Sequence, residues 1–170
     1  MKPVIFLFFF GFIALQNLQA QSFETDLETQ SKIVDLYFII GEWEGNGWRI
    51  SPDGVKHSFE QTEKVQYKLD STAILIEGKG YTDGKLIHNA MAIITSNKET
   101  GEYEFQSYLQ NGMKGNFKAE LKDDVFYWYP NQNVRYIISI DEEGRWYEKG
   151  EFNRQGEWMQ FFEMTLSKNS

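Results

Sequence analysis

The sequence contains no cysteine, and this absence removes several kinds of chemistry at once. Without thiols the protein can form no disulfide, no CxxC redox motif, no thiolate metal site and no cysteine nucleophile. Histidine is nearly as scarce, since only His57 and His88 are present, and two isolated histidines do not define a metal centre. The fold must therefore be held together by its hydrophobic core.

Positive charge is also in short supply. Lys and Arg number 17 against 25 Asp and Glu, which gives a formal net charge of −8, and no basic stripe is present. Because nucleic-acid binding depends on neutralising phosphates, we expect no nucleic-acid partner. No glycine-rich phosphate loop opens a helix, and no strand–turn–helix nucleophile elbow is found. These absences favour a binding protein over an enzyme.

A single long apolar run lies at the N-terminus. After Met1 and Lys2 comes "PVIFLFFFGFIAL", followed by "QNLQA", which ends in the small residue Ala20. This layout is typical of a cleaved signal peptide, and the run is shorter than the roughly 20 residues that span a bilayer. We predict a signal peptide over residues 1–20, cleaved near Ala20-Gln21, and a secreted or periplasmic protein with no membrane span after cleavage. A membrane anchor is the alternative.

The rest of the chain has the size of one domain, with a change of pattern near residue 40. Residues 21–40 form an N-terminal segment with one short predicted helix, "ETDLETQSKIVDLY", for which Thr25 is a candidate N-cap. Its predicted apolar stripe consists of Leu27, Ile33, Leu36 and Tyr37. From residue 41 to 168 the apolar residues alternate with a period of two, which is typical of β-strands.

Nine turn signals divide residues 41–168 into ten short strands. They are "SPDG", "LDS", "TDG", "NKETG", "QNG", "KDD", "PNQN", "DEEG" and "NRQGE". Such turns join antiparallel neighbours, and closing the sheet into a barrel removes its exposed edges. We therefore predict an all-β fold, a ten-stranded antiparallel up-and-down β-barrel preceded by one short helix.

The first strand combines two tryptophans with glycines. In "GEWEGNGWRI" the residues Trp43, Gly45, Gly47 and Arg49 share one face. Glycines permit sharp coiling and close backbone approach, which a barrel needs in its first strand. We expect Trp43 to close one end of the barrel, chiefly as a structural residue.

The segment "IIGEWEGNG" resembles the G-x-W-x-G-x-G opening strand of nitrobindin-type barrels. The same opening occurs in related lipocalin-like bacterial families of uncharacterised function within the calycin group. The resemblance implies an antiparallel barrel with an internal cavity and, in nitrobindins, a ferric haem held by a histidine of the last strand. The matching stretch "FFEMTLSK" keeps Leu166 and Lys168 but has Phe161 at the histidine position. A phenyl ring offers no lone pair to iron, so we expect no haem and no other cofactor.

Strand alternation assigns candidate residues to the inner face of the barrel. The candidates for lining a ligand cavity are Trp43, Phe59, Gln61, Glu63, Tyr67, His88, Tyr103, Phe105, Tyr136, Trp158 and Phe162. Further interior positions are predicted for Tyr127, Tyr129 and Trp146. The facing of His88 stays open, and the buried polar groups of Gln61 and Glu63 are expected to find Tyr, Arg or water as partners. Arg135 is one candidate.

Three functional hypotheses follow from these observations. The leading one is an exported lipocalin-like barrel, monomeric or homodimeric, that binds a small apolar or amphipathic molecule non-covalently. The first alternative is a nitrobindin-like haem protein acting on nitrogen oxides. The second is a structural or protein-interaction module, its barrel filled by its own aromatic side chains. In that case Trp48, Phe126 and Trp128 would form an exposed patch.

Overall fold

A computed structural model describes residues 24–169, so the predicted signal peptide lies outside the described residues. The chain begins with helix α1 (Leu27–Val34) and a 3-10 turn (Tyr37–Ile39). Ten strands follow: β1 (Gly41–Ile50), β2 (Lys56–Lys68), β3 (Ala73–Thr82), β4 (Lys85–Ser96), β5 (Tyr103–Leu109), β6 (Lys114–Lys122), β7 (Val125–Asn131), β8 (Val134–Ile140), β9 (Trp146–Arg154) and β10 (Glu157–Lys168). Over residues 24–169, no helix has both the length and the apolar character to cross a bilayer.

The ten strands form one closed barrel. Each strand pairs antiparallel with its neighbours in sequence, and β1 also pairs with β10, where Gly45 lies opposite Leu166. This last pairing leaves no open edge in the sheet. The predicted ten-stranded antiparallel barrel with one short preceding helix is therefore confirmed.

Tight hairpin turns explain why neighbouring strands pair. At the β3–β4 turn, Asp83 and Gly84 have φ values of 51° and 71°, and at the β6–β7 turn Asp123 and Asp124 have values of 51° and 59°. Two consecutive residues with positive φ match the twist of a type I′ turn, and Asp and Gly tolerate that conformation. The predicted turns "TDG" and "KDD" thus form because their residues tolerate the positive φ that a type I′ turn requires.

The glycines of β1 allow a close approach across the seam with β10. A Cβ atom on Gly45 would lie 2.2 Å from the carbonyl oxygen of Thr165 on β10. One on Gly47 would lie 2.6 Å from the carbonyl oxygen of Glu163 on β10 and 2.4 Å from the Phe59 ring on β2. No side chain fits at either position without moving backbone or a buried ring. The two glycines beside the tryptophans are therefore explained by barrel closure.

The N-terminal helix differs from the prediction at both ends. Asp26, not Thr25, is the N-cap, and its carboxylate accepts a hydrogen bond from the Thr29 amide at 2.9 Å. Leu27 and Tyr37 are 72% and 66% exposed, so they do not belong to the buried stripe. Because the chain tightens into a 3-10 turn, the buried residues are instead spaced by three, at Ile33, Leu36 and Ile39.

This N-terminal segment caps one end of the barrel. The Trp43 indole donates to the Ile39 carbonyl at 2.9 Å, and the Tyr103 hydroxyl donates to the Lys32 carbonyl at 2.7 Å. The Tyr67 hydroxyl lies 3.4 Å from the Val34 carbonyl. Beneath this cap, Trp43 contacts Trp146 with ring centroids 5.9 Å apart. The core thus fills the capped end, and the opposite half of the lumen is left for a cavity.

Candidate functional site

The uncapped half of the barrel contains an internal cavity of about 510 Å³. It reaches the turns at the open end, where its lining includes Leu109, Met113 and Pro130. A second space of about 310 Å³ lies beside it towards β1 and β2. The two spaces share the lining residues His88, Tyr136 and Phe162. We refer to both spaces together as the lumen.

An aromatic band runs along the lumen wall. Phe105 stacks on Trp128 with centroids 4.5 Å apart, and Trp128 stacks on Tyr136 at 4.3 Å. Tyr136 meets Phe162 edge to face at 5.6 Å, and Phe162 stacks on Phe59 at 5.7 Å. These five rings come from five strands, so the band fixes the shape of the wall with side chains that have few rotamers. The wall therefore offers a rigid apolar surface.

Two buried glutamates, Glu63 on β2 and Glu148 on β9, also line the cavity. The Gln61 side-chain amide donates to Oε1 of Glu63 at 2.6 Å. The Trp146 indole donates to Oε2 of Glu148 at 3.2 Å. Gln61 and Glu63 thus partner each other, and Arg135 takes no part, since it pairs with Glu151 at 2.7 Å on the outer face. We call Glu63 and Glu148 the carboxyl pair.

The carboxyl pair is held in an environment that disfavours charge. Burial raises the pKa of Glu63 from 4.5 to about 7. Burial, together with the charge of Glu63, raises the pKa of Glu148 to about 8, although hydrogen bonds from Trp146 and Trp128 act in the opposite direction. Oε2 of Glu63 is buried and has no hydrogen-bond partner. One polar atom in the lumen is therefore unsatisfied.

Two glycines of β3 make room for these polar side chains. A Cβ atom on Gly78 would lie 2.6 Å from Oε1 of Glu63, and one on Gly80 would lie 2.8 Å from Oε1 of Gln61. Both polar groups consequently lie against bare backbone of the neighbouring strand. This packing positions the carboxyl of Glu63 at the cavity wall.

Positively charged and titratable groups lie nearer the open end. Lys114 lines the cavity and is solvent-exposed, while Arg49 lines the second space beside His88. Burial and the charge of Arg49 lower the pKa of His88. His88 lines both spaces of the lumen. Within residues 24–169, no three His, Asp or Glu side chains converge as metal ligands would.

Seven of the eleven candidate residues line the lumen, namely Phe59, Gln61, Glu63, His88, Phe105, Tyr136 and Phe162. The structure does not bring the other four to this site. Trp43, Tyr67 and Tyr103 lie at the capped end, where each bonds to a carbonyl of the N-terminal segment. Trp158 lies on the outer face under the Arg135 guanidinium, 4.1 Å from the ring centroid.

The position of Trp158 follows from a β-bulge in β10. Gln160 lies opposite Glu151 and Phe162 lies opposite Gly150, so Phe161 is an extra residue. An extra residue reverses the alternation of inward and outward side chains. Residues Phe162, Met164 and Leu166 face inward, whereas Trp158 faces outward. The assignment of Trp158 to the lumen by simple alternation was therefore wrong.

The facing of β7 was also predicted wrongly. Phe126 is 0% exposed and Trp128 belongs to the aromatic band, so both face inward. Tyr129 faces outward, where its hydroxyl donates to Glu120, and Tyr127 shares that face. Trp48 lies apart on β1 and donates to Glu163 at 3.1 Å. The exposed patch of Trp48, Phe126 and Trp128 consequently does not exist.

Sequence reasoning missed several residues of the site, above all Glu148. The signal was present, because Trp146 was assigned to the interior and Glu148 follows it by two residues on the same strand face. Phe117 and Gly78 were missed as well, although both line the cavity.

Comparison with solved structures finds a similar fold. The chain resembles the protein in "Crystal Structure of Rv2717c from M. tuberculosis" with a TM-score of 0.60 and 12% sequence identity, over 82% of this chain and 98% of that chain. At this identity the likeness shows the fold alone. No family model matches the chain, and no curated protein matches it by sequence. Fold and lumen together define a closed antiparallel β-barrel with an internal cavity, an architecture compatible with ligand binding.

Proposed function

We propose that the protein is an exported barrel that binds a small apolar or amphipathic molecule non-covalently in its lumen. The observation that carries the proposal is the cavity of about 510 Å³ that the aromatic band lines. Ligand sites are typically concave spaces of about 300–1,000 Å³ with apolar walls and a few polar groups. The lumen has this composition, since aromatic and aliphatic side chains surround a carboxyl pair.

A fluorescent apolar probe tests whether the lumen takes up ligand. Nile red is uncharged, and its emission rises in apolar surroundings, so binding is read directly by titration. Ala90 lines the cavity, whereas its neighbour Met91 is solvent-exposed. We expect Ala90→Trp to weaken Nile red binding by about tenfold or more, because the indole fills space that the probe needs.

Met91→Trp is the matched control, since it adds the same ring to the same strand outside the barrel. It should leave Nile red affinity within about twofold of the unsubstituted protein. Equal affinity of all three proteins, or no binding to any, would overturn the proposal. If the probe binds as expected, native mass spectrometry of protein purified from its own host would identify the natural ligand.

Export is the second part of the proposal, and it rests on the charged start, short apolar run and small residue that precede Gln21. N-terminal sequencing of the protein isolated from its host should begin at or near Gln21. An intact Met1 in the mature protein would contradict export by this route.

A haem function fits the residues of this lumen poorly. Phe161 occupies the position of the nitrobindin histidine, and its ring contacts Tyr136 at 5.7 Å and Phe152 at 6.3 Å. This ring has no donor for iron. We therefore propose a barrel without haem, and we expect titration with haemin to give no shift of the Soret band. His88 is the lumen histidine, so a Soret shift that His88→Ala abolishes would reverse this conclusion.

A further inference from the structure

We infer that the ligand is an amphipathic amine whose protonated nitrogen binds to Glu63 and Glu148 at the inner end of the cavity. This inference rests on the proposed function, because it names the chemical class of molecule that the lumen would take. It makes Glu63 and Glu148 the polar recognition site and the aromatic band the apolar wall.

Neither carboxyl has a positively charged partner. Among residues 24–169, the hydrogen bonds to Glu63 and Glu148 come from the neutral side chains of Gln61, Trp146 and Trp128, and no ion pair reaches either glutamate. Buried carboxyls are normally paired with a cation or bound to a metal. Here no residue of the described part of the chain supplies that cation, and a ligand can supply it.

The unsatisfied oxygen points to a donor on the ligand. Oε2 of Glu63 is buried without a partner, in a residue that is only 8% exposed. Leaving such an atom unpaired costs roughly 1–3 kcal/mol, so a ligand that donates to it regains this free energy. An ammonium group carries three donors and a full charge, so it can donate to Oε2 of Glu63 and has donors left for Glu148.

Other polar groups fit this end of the cavity less well. A ligand carboxylate would bring a third acidic group beside Glu63 and Glu148, in surroundings where burial already disfavours a charged carboxyl. A hydroxyl could donate one hydrogen bond to Oε2 of Glu63 but supplies no charge. An amine is therefore expected to bind more tightly than an alcohol, and an alcohol more tightly than an acid.

The charged groups around the cavity favour a bound amine with its nitrogen at the inner end. Lys114 lies in solvent at the open end, where its charge is screened, and Arg49 and His88 border the second space. The acidic groups lie at the inner end, and the exposed Met113 side chain lines the mouth. An amine would therefore enter nitrogen first and leave its apolar body against the aromatic band.

Three ligands of equal chain length test the inference. Decylamine, decanol and decanoate differ only in the polar group, and each is titrated against bound Nile red at pH 7. We expect decylamine to displace the probe at a concentration about tenfold or more below that of decanol, a difference of about 1.4 kcal/mol. Decanoate should be the weakest of the three.

Glu63→Gln removes the charge and keeps the shape of the side chain. It should reduce decylamine affinity about tenfold or more, with decanol affinity changed by less than about threefold. Glu60→Gln is the matched control, because Glu60 is exposed on the outer face of the same strand. It should leave all three affinities unchanged. Glu148→Gln provides a second test of the carboxyl pair, and circular dichroism verifies that each variant is folded.

The outcomes separate this inference from the proposed function. If Nile red binds but the amine has no advantage over the alcohol, or if Glu63→Gln and Glu148→Gln both keep that advantage, the inference is overturned and the lumen remains a binding site for apolar molecules. If Nile red itself does not bind, the proposed function fails first. Preference for decanoate would overturn the inference and assign Lys114 or Arg49 as the recognition group.

Discussion

At the scale of single residues, Glu63 and Glu148 occupy positions where an ionised carboxyl is least stable. Both are buried, and the charge of Glu63 further disfavours ionisation of Glu148. In the absence of ligand, the barrel satisfies them best by holding protons on them. The two buried carboxyls therefore lower the free energy of unfolding at neutral pH. This loss can be measured without knowing the ligand.

The carboxyl pair predicts that stability falls as pH rises. The pKa of Glu63 is about 7 and that of Glu148 about 8 in the folded protein, against 4.5 when solvated. Between pH 4.5 and 8 the folded state therefore binds more protons than the unfolded state, so the free energy of unfolding decreases with pH. Below pH 4.5 the stabilisation from the protonated carboxyl pair is fully present. Urea unfolding at a series of pH values measures it.

The double variant Glu63→Gln/Glu148→Gln isolates this effect. Relative to the unsubstituted protein, the double variant should gain several kcal/mol in free energy of unfolding at pH 8 compared with pH 4.5, because an amide does not ionise and a pKa raised by one unit is worth about 1.4 kcal/mol. His88 has a lowered pKa and opposes the trend, but it is present in both proteins and cancels in the difference. Parallel pH profiles for the two proteins would contradict the placement of the carboxyl pair.

Gly45 carries a second prediction at this scale. Its missing Cβ would meet the Thr165 carbonyl oxygen at 2.2 Å, and backbone cannot move aside as a side chain can. Gly45→Ala should reduce the free energy of unfolding by roughly 1–3 kcal/mol through overpacking. Asn46→Ala, at the exposed next position, should change it by less than about 0.5 kcal/mol. Equal effects would show that the β1–β10 seam is looser than described.

At the scale of elements, the N-terminal helix stabilises the barrel by capping it. Ile33 is completely buried on the inner side of α1, whereas Leu27 is 72% exposed. Ile33→Ala should destabilise the protein by about 2–4 kcal/mol, since it removes buried methyl groups and leaves a cavity. Leu27→Ala is the control and should cost less than about 0.5 kcal/mol. Similar losses in guanidinium unfolding would show that α1 does not cap the core.

The strands show how far sequence reasoning extends. Their number and order were predictable because turn residues such as Asp83 and Gly84 determine local backbone geometry. The facing of β7 was not, because "FYWY" has an aromatic residue at every position and gives alternation no contrast. The bulge at Phe161 depends on pairing with β9, a non-local contact that a single strand does not reveal.

The site was predictable only in part for a related reason. Gln61 and Glu63 stood out because polar residues shared a face with apolar ones. Glu148 obeys the same rule but was overlooked. The size of the lumen was beyond sequence reasoning, because it depends on strand register and on the orientation of rings such as Trp128 and Tyr136.

At the scale of the whole molecule, closure should make every strand equally protected. An open sheet has edge strands whose amides exchange quickly, whereas β1 and β10 here bond to each other over Trp43–Arg49. Hydrogen exchange read by mass spectrometry should show protection in β1 and β10 comparable to that in β5 and β6. Rapid exchange confined to β1 and β10 would show that the barrel opens at this seam.

The directions of the first and last elements have a practical consequence. α1 covers the capped end, and β10 finishes there as well, with Lys168 opposite Trp43. Both ends of the described chain thus emerge on the side away from the cavity entrance. A reporter domain fused after residue 170, or attachment to a sensor chip through that end, should leave the cavity entrance unobstructed. The barrel can therefore be immobilised and screened against compound libraries in a defined orientation.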